Sequence, residues 1–285
     1  MPGQNTKNVF LTGAAGGIGA ETARQLAERG HAVFAGIHES AGALAGSSRV
    51  HPVPIDVTDP AAVAAAAELV RREVGDDGLQ AVVNNAGVIV QGPLELVPDD
   101  ELRRQFEINT LGPVRVIQSF LPLLRSGHGR VVNVSAPTAR VPVPMMGPIG
   151  ASKAALVSLS ESLRVELAAW GIPVVLVEPG GTETEIFAKA GAAAEASLAA
   201  ADPARAALYR NHIEAFAKAA GEQKLGPVEP VAGTIVKAVE SARPRRWYGV
   251  GSGTRLFSTL SRLPGGTRDR LVASAFGLRG VETPG

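Results

Sequence analysis

The sequence predicts an α/β protein: one doubly wound, parallel sheet with helices on both faces. Three observations predict it. Short apolar segments alternate with longer helix-like ones as far as Pro179, a glycine-rich turn joins the first strand to the first helix, and two later strands end in polar turns, Asp56-Val57 and Asn84-Asn85-Ala86-Gly87. Asn8–Thr12 is an apolar run ending in glycines, and Ala20–Arg29 has helix composition. Ala32–Ile37 and Val50–Ile55 read as strands, and Pro60–Val74 as an Ala-rich helix with proline near its first turn. Leu79–Asn84 is a strand, Asp99–Leu124 a long helix that Pro122 would cap or kink near its end, Arg130–Ser135 a strand, Pro148–Trp170 a helix and Ile172–Glu178 a strand. Strands alternating with helices in this way imply parallel pairing with crossover helices.

Beyond Pro179 the alternation breaks down. Ala188–Ala220 is alanine-rich helix and loop without strand signal, and 186–228 is expected to form a lid inserted before the last core elements. Glu229–Ser241 is a further helix, Arg246–Val250 a final strand, and 251–285 a C-terminal tail. No repeat and no linker divides the chain, so 1–285 is read as one domain.

Composition narrows the function classes. With 285 residues and 45% hydrophobic content the chain buries a sizeable core. The absence of cysteine excludes disulfides and thiolate metal sites, and no metal centre is expected. A net charge of +1 gives no reason to expect nucleic acid. No apolar run approaches the roughly 20 residues that span a bilayer, and Met1–Asn8 is short and polar, so a cytoplasmic protein is expected. Tyr209 and Tyr248 are the only phenols.

The turn Thr12-Gly13-Ala14-Ala15-Gly16-Gly17-Ile18-Gly19 follows a strand and opens a helix, the setting of a phosphate-binding loop. Gly13 permits the tight turn, Gly17 lets backbone approach a diphosphate, and Gly19 allows close helix–strand packing; helix N–H groups, Ile18 among them, would hold the anion in a Rossmann-type arrangement. With the two strand-ending turns, this set resembles the short-chain dehydrogenase/reductase family from about Lys7 to Glu185. The resemblance implies that Asp56 and Val57 contact adenine, and that Asn85, Ala86 and Gly87 wall the adenine ribose. Read alone, Asp56 could equally cap the next turn. The second strand ends without a carboxylate at Ile37, and His38, Ser40 and Arg49 could receive a 2′-phosphate, which favours NADP over NAD; Glu39 argues the other way, and His38 also reads as a solvated loop residue.

The family's catalytic set has a serine, a tyrosine, a lysine and an asparagine, the tyrosine passing a proton to the substrate oxygen. By resemblance Lys153 matches the lysine, which holds the nicotinamide ribose, and Asn109 the asparagine, which positions a relay water; Asn109 could also be a helix-kinking core residue. Isoleucine 149 stands at the tyrosine position, in Ile149-Gly150-Ala151-Ser152-Lys153. Thirteen residues upstream, where the family places its serine, is Ala136; Ser135 should face the opposite side of the strand end. Loss of both groups removes about 10²–10⁴-fold of acid–base catalysis and about 10²–10³-fold of oxyanion stabilisation.

Pro179-Gly180 and Thr182 and Thr184 resemble the segment that meets the nicotinamide amide, though either threonine could simply cap a helix. Tyr209 and His212, three apart, offer a replacement acid or two exposed lid residues; Tyr248 suits packing, and Thr138 follows the serine turn without a predictable direction. Val141-Pro142-Val143-Pro144-Met145-Met146 would make the cleft wall oily. The tail arginines suit a solvated helix face or a membrane-surface helix, and similar tails occur in relatives acting on steroids and retinoids. The expectation is an enzyme for an apolar small molecule working without a tyrosine acid, by hydride transfer to an activated acceptor or by non-redox cyclisation or isomerisation. The alternative is an inert cofactor- or partner-binding homologue, and a third possibility keeps ordinary turnover through Tyr209 or water. Homodimers or homotetramers through the Asp99–Leu124 and Pro148–Trp170 helices are implied by the resemblance.

Overall fold

The computed structural model describes residues 7–38 and 47–282. Its sheet has seven strands, all parallel, in the order β3-β2-β1-β4-β5-β6-β7. These are β1 (Asn8–Thr12), β2 (Ala32–Ile37), β3 (Val50–Pro54), β4 (Ala81–Asn84), β5 (Val131–Val134), β6 (Val174–Pro179) and β7 (Trp247–Val250). The chain winds outward from β1 to β3, then returns through β4 on the other side, so a crevice opens at the carboxyl ends of β1 and β4 where the winding reverses.

Strand periodicity sorts the core into two layers. Val9, Leu11, Val33, Val83, Val132 and Val177 face α1 (Gly17–Glu28) and α9 (Glu229–Glu240), which contribute Leu26, Ile235 and Val239. Phe10, Phe34, Val82 and Val131 face the other way, onto α2 (Pro60–Val74) and α4 (Gly112–Ser126). There Phe10 stacks on Phe120 with centroids 4.1 Å apart and both rings fully buried. α2 starts where the sequence signals it: the Asp59 carboxylate accepts the Ala61 N–H and Pro60 takes the first helical position, where no N–H is needed. β3 forms one edge of the sheet and carries Pro52 and Pro54, residues that a central strand would not tolerate.

Three expectations need correction. The long helix is interrupted: α3 (Asp99–Phe106) passes through a π-turn, Glu107–Leu111, into α4. Pro122 lies inside α4, which runs on to Ser126. β5 stops at Val134, so Ser135 already belongs to the turn. α5 (Gly147–Glu166) ends in a 3-10 turn reaching Trp170. The 186–228 segment is mostly helical, with α6 (Glu185–Ala200), α7 (Pro203–Leu208) and α8 (Arg210–Gly221), and the tail forms α10 (Thr254–Leu260) and α11 (Gly265–Ala275). Val272 and Phe276 pack on Val143 and Val141, with Phe257, Leu260 and Phe216 beside them, so the tail joins the core as a third apolar cluster. Among the described residues, no helix is long and apolar enough to cross a membrane, and no cluster of metal-ligating side chains occurs.

Candidate active site

The glycine loop is shaped by contacts that leave no room for side chains. Gly13 has φ +66°, and a Cβ there would stand 2.8 Å from the Ala86 Cα. A Cβ on Gly19 would meet the Gly13 carbonyl oxygen at 2.1 Å, so α1 can approach β1 only with glycine at this position. Gly17 accommodates Thr184, whose Cγ2 would lie 2.7 Å from a Cβ. Asn85 ties the loop down: its Nδ2 donates to the carbonyls of Thr12 and Gly13 (both 3.2 Å), while the Thr12 hydroxyl accepts the N–H groups of Asn85 and Ala86 (both 3.1 Å).

Among the described residues no side chain caps α1, in contrast to Asp59 on α2. The first-turn N–H groups of Gly17, Ile18 and Gly19 therefore face the crevice without an intrahelical partner, at the positive end of the helix. That is an observation a diphosphate fits: unpaired donors, a positive potential and glycines that let an anion come close.

The crevice opens into a cavity of about 1980 Å³, which runs from Gly13 and His38 past Lys153 to Phe257 and Phe276. This is larger than the roughly 300–1,000 Å³ of ordinary small-molecule sites and leaves space for a dinucleotide and a second molecule together. Gly87, Val57, Pro179, Gly180, Thr182 and Thr184 all line it. At the end beyond β2, Asp56 caps the turn that follows it. One carboxylate oxygen accepts the Thr58 N–H (2.8 Å) and hydroxyl (2.7 Å), and the other faces His38 Nε2 at 3.4 Å. Desolvation pushes the Asp56 carboxyl up, but the Thr58 hydrogen bonds and His38 outweigh it and hold it below its ordinary value.

Arg49 is corrected. Its guanidinium donates to the Gly30 carbonyl (3.1 Å), and the register Val33↔Val50 puts it at the amino end of β3, about 16 Å of strand from the His38 end. It cannot share an anion with His38. Glu39 and Ser40 lie outside the described residues.

Further along the cavity, Ile149 and Lys153 are one turn apart on α5, both buried and both lining it. Lys153 Nζ donates to the Val134 carbonyl oxygen at 2.7 Å, its only hydrogen bond among the described residues. Desolvation lowers its pKa from 10.5 to about 8. Asn109 sits in the π-turn, where its amide accepts the Val88 N–H and donates to the Val88 carbonyl, each at 2.9 Å. Both ends of that side chain are thus committed to the loop after β4.

Ala136 has extended backbone (φ −155°, ψ 155°), and both it and Ser135 line the cavity. The hydroxyls of Ser135 and Thr138 are buried and have no partner among the described residues. Tyr209 and His212 are not among the residues lining the cavity. Tyr209 donates its hydroxyl to Glu95 Oε2 at 2.6 Å, and its ring meets that of His212 edge-on at 6.3 Å. Tyr248 is buried, its hydroxyl accepting the Arg245 N–H. Neither threonine of the Pro179 segment caps a helix by its side chain: Thr184 precedes α6 without such a bond, and Thr182 donates to the Gly180 carbonyl at 2.9 Å.

Two groups near the site escaped sequence reading. Gln105, fully buried one turn before Asn109, accepts the Val90 N–H (2.6 Å) and donates to the Val88 carbonyl (2.9 Å). The i, i+4 spacing of Gln105 and Asn109 on one helix face is the signal that could have revealed it. Arg140, four residues after Ala136, forms a 2.5 Å ion pair with fully buried Glu178, stacks over the Trp247 ring at 4.8 Å, and reaches Ser258 on α10. Trp247 Nε1 also donates to Glu178 (2.6 Å). Nothing in the spacing of these four residues announces that they meet.

A doubly wound sheet with uncapped helix N–H groups at its switch point suits a protein that binds a dinucleotide, and comparisons with known proteins give the family. The family model for short chain dehydrogenases matches residues 7–195. The chain is 33% identical over 277 residues to an NADPH-dependent 3-dehydrocapnine reductase of Ornithobacterium rhinotracheale, covering 93% of this chain and 94% of that enzyme. It is 41% identical to estradiol 17-beta-dehydrogenase 2 of Mus musculus over 189 residues, 63% of this chain but only 49% of that enzyme's length. Among solved structures, a short chain dehydrogenase from Burkholderia cenocepacia J2315 in complex with NADP superposes with a TM-score of 0.73 at 27% identity, over 94% of this chain and 98% of that one. The chain belongs to the short-chain dehydrogenase family and is an NAD(P)-dependent oxidoreductase of Rossmann-type fold.

Proposed function

We propose that this enzyme binds NADP and acts on an apolar small molecule by a route that needs no tyrosine acid. The observation that carries the reading is the buried Ile149 side chain on the cavity wall one turn before Lys153, where it can neither donate nor accept a proton. In this reading the N–H groups of Gly17, Ile18 and Gly19 hold the diphosphate, with Gly13 shaping the turn. Asp56 and Val57 meet the adenine, with Asn85, Ala86 and Gly87 beside its ribose. His38 would receive the 2′-phosphate, and the NADP named for the reductase and the solved relative supports the same choice.

Lys153 holds the nicotinamide ribose, and Pro179, Gly180, Thr182 and Thr184 the carboxamide side. The nicotinamide supplies a hydride donor or acceptor. Asn109 keeps the π-turn and the loop at Val88 in place rather than touching substrate by its amide, since both amide ends are already bonded. Ala136 offers no hydrogen bond to a substrate oxygen, so the acceptor must arrive already cationic or strongly polarised, as an iminium or quinone methide does. A cyclisation or isomerisation steered by the cavity walls satisfies the same constraint.

The apolar substrate reading rests on Val143, Met146, Phe216, Phe257 and Phe276 along one cavity. Residues 186–228 act as its lid, and the tail helices α10 and α11 as its floor. Homodimers or homotetramers would form through α4 and α5, on which Leu111 (before α4) and Leu159 and Val165 (on α5) stand exposed. The test is a binding titration with NADPH and NADH, followed by NADPH oxidation with iminium, quinone methide and simple ketone acceptors. Tight NADPH binding with turnover of the activated acceptors alone is expected. NADPH binding without oxidation by any acceptor removes the hydride version, and brisk turnover of plain ketones removes the no-acid reading.

A further inference from the structure

Among the described residues, two that are not glycine hold a positive φ: His128 at +47° and Met145 at +62°. His128 follows the last turn of α4, where left-handed backbone is an ordinary way to end a helix. Met145 has no such setting. The Met146 N–H donates to the Val143 carbonyl at 3.1 Å, closing a turn with Pro144 and Met145 at its centre. Proline first and a positive φ second is the pattern of a type II turn, whose second central place favours glycine or asparagine. The Met145 carbonyl accepts the Gly92 N–H at 2.8 Å, which ties this turn to the loop after β4. A glycine at position 145 would allow the same two backbone bonds at lower conformational cost.

What the methionine adds is its side chain, and core packing does not account for it. Val143 and Met146 join the third apolar cluster with Val272 and Phe276, but Met145 is no member of that cluster. It is half-buried and lines the cavity. Phe216 and Phe276 line the same cavity, their rings stacked with centroids 5.5 Å apart, and Phe257 lines it too. Aromatic walls of this kind suit a flat ring, and a thioether makes favourable contacts with ring edges. We propose that Met145 is a specificity-determining residue, kept at a turn position that favours glycine because its thioether selects substrates carrying a planar aromatic ring. A saturated body of the same size buries similar area but gains no sulfur–ring contact. This selectivity rests on the apolar-molecule reading of the cavity and narrows the class of molecule.

The experiment has two arms on the full-length protein. In the first, urea denaturation compares the parent with Met145→Ala and Met145→Gly. Met145→Ala should unfold with the parent, because the side chain lies outside the three apolar clusters. Met145→Gly should unfold at or above the midpoint of Met145→Ala, the reverse of the usual order of these residues. A Met145→Ala midpoint well below the parent's makes Met145 a packing residue, and a Met145→Gly midpoint below that of Met145→Ala removes the conformational cost; either result overturns the proposal. In the second arm, titration calorimetry with NADP present measures α-tetralone and trans-α-decalone, bicyclic ketones of one carbon skeleton, the first aromatic and the second saturated. The oxidised cofactor leaves both ketones unconsumed. From the parent to Met145→Leu, of similar volume but without sulfur, the ratio of the two dissociation constants should shift about 2–10-fold against tetralone. Solvation of the free ketones is common to both proteins and cancels. An unchanged ratio, or a shift toward tetralone, overturns the proposal. Uptake of neither ketone by the parent removes the apolar-molecule reading itself, and the selectivity falls with it.

Discussion

The Tyr209 hydroxyl donates to Glu95 at 2.6 Å, across 114 residues of chain, and Arg205 donates to the same carboxylate at 3.1 Å and to the Glu95 carbonyl at 3.0 Å. One carboxylate thus fastens α7 and the residue that follows it to the short 3-10 turn Leu94–Leu96. The Tyr209 and Arg205 hydrogen bonds lower the Glu95 pKa against a small opposing desolvation. A carboxyl depressed in the fold contributes its stabilisation above its ordinary pKa and loses it as the pH falls through the lowered value. Limited proteolysis within 186–228 should therefore stay slow from neutral pH down to the usual carboxylate range and accelerate below it. In Glu95→Gln the acid-dependent step should disappear, and Tyr209→Phe should leave any turnover intact while raising KM.

Lys153 makes the opposite pH prediction. Its pKa falls from 10.5 to about 8 on folding, so between those values the unfolded chain binds more protons and stability rises with pH. At neutral pH the buried ammonium costs on the order of 3 kcal/mol by this linkage. Lys153→Met should accordingly unfold at higher denaturant than the parent at pH 7, with the advantage shrinking toward pH 10. An equal difference at both pH values in urea titrations would contradict the assignment of burial as the cause.

A phenol at position 149 and a hydroxyl at position 136 would test the cleft. Ile149→Tyr with Ala136→Ser should raise NADPH-dependent reduction of an apolar ketone by about 10²–10⁴-fold, the usual range for a general acid. The measurement is initial rate at saturating cofactor. No gain, with NADPH still bound, would mean that the walls of the cavity no longer place a carbonyl beside position 149.

The Arg140–Glu178 pair gives a stability prediction. Removing the guanidinium leaves a fully buried carboxylate with only the Trp247 N–H, and such orphaned charges cost about 3–5 kcal/mol. Arg140→Ala should show a loss of that size by urea denaturation, and adding Glu178→Gln should recover part of it. Because Arg140 also reaches Ser258, hydrogen exchange in α10 should quicken in the single variant.

Much of the fold can be read directly, because buried parallel strands are apolar runs and the helices between them carry their own start signals, such as Asp59-Pro60. The glycine loop was equally legible, since each glycine answers a steric demand that a sequence motif records. What could not be read depends on side chains meeting across long separations. Arg49 looks like a phosphate ligand until the register of β3 puts it at the wrong end of the strand. Tyr209 looks like a candidate acid until Glu95 claims its hydroxyl. The helix-kinking reading of Asn109 matches the π-turn there, but the two bonds its amide makes to Val88 join segments 21 residues apart and could not be read.

The prolines of β3 have a consequence for assembly. Val33 N–H donates to the Arg49 carbonyl and Ile55 N–H to the Ile37 carbonyl, so odd-numbered residues of β3 turn their polar backbone toward β2 and even-numbered ones turn it outward. Pro52 and Pro54 are both even-numbered, and each deletes an N–H from the outer rim. A second chain laid along that rim would find carbonyl oxygens with too few donors to answer its own, so the sheet cannot grow there by strand addition. Self-association on this side of the molecule is left to helix surfaces, and unwanted fibre-like stacking through β3 is closed off by two residues.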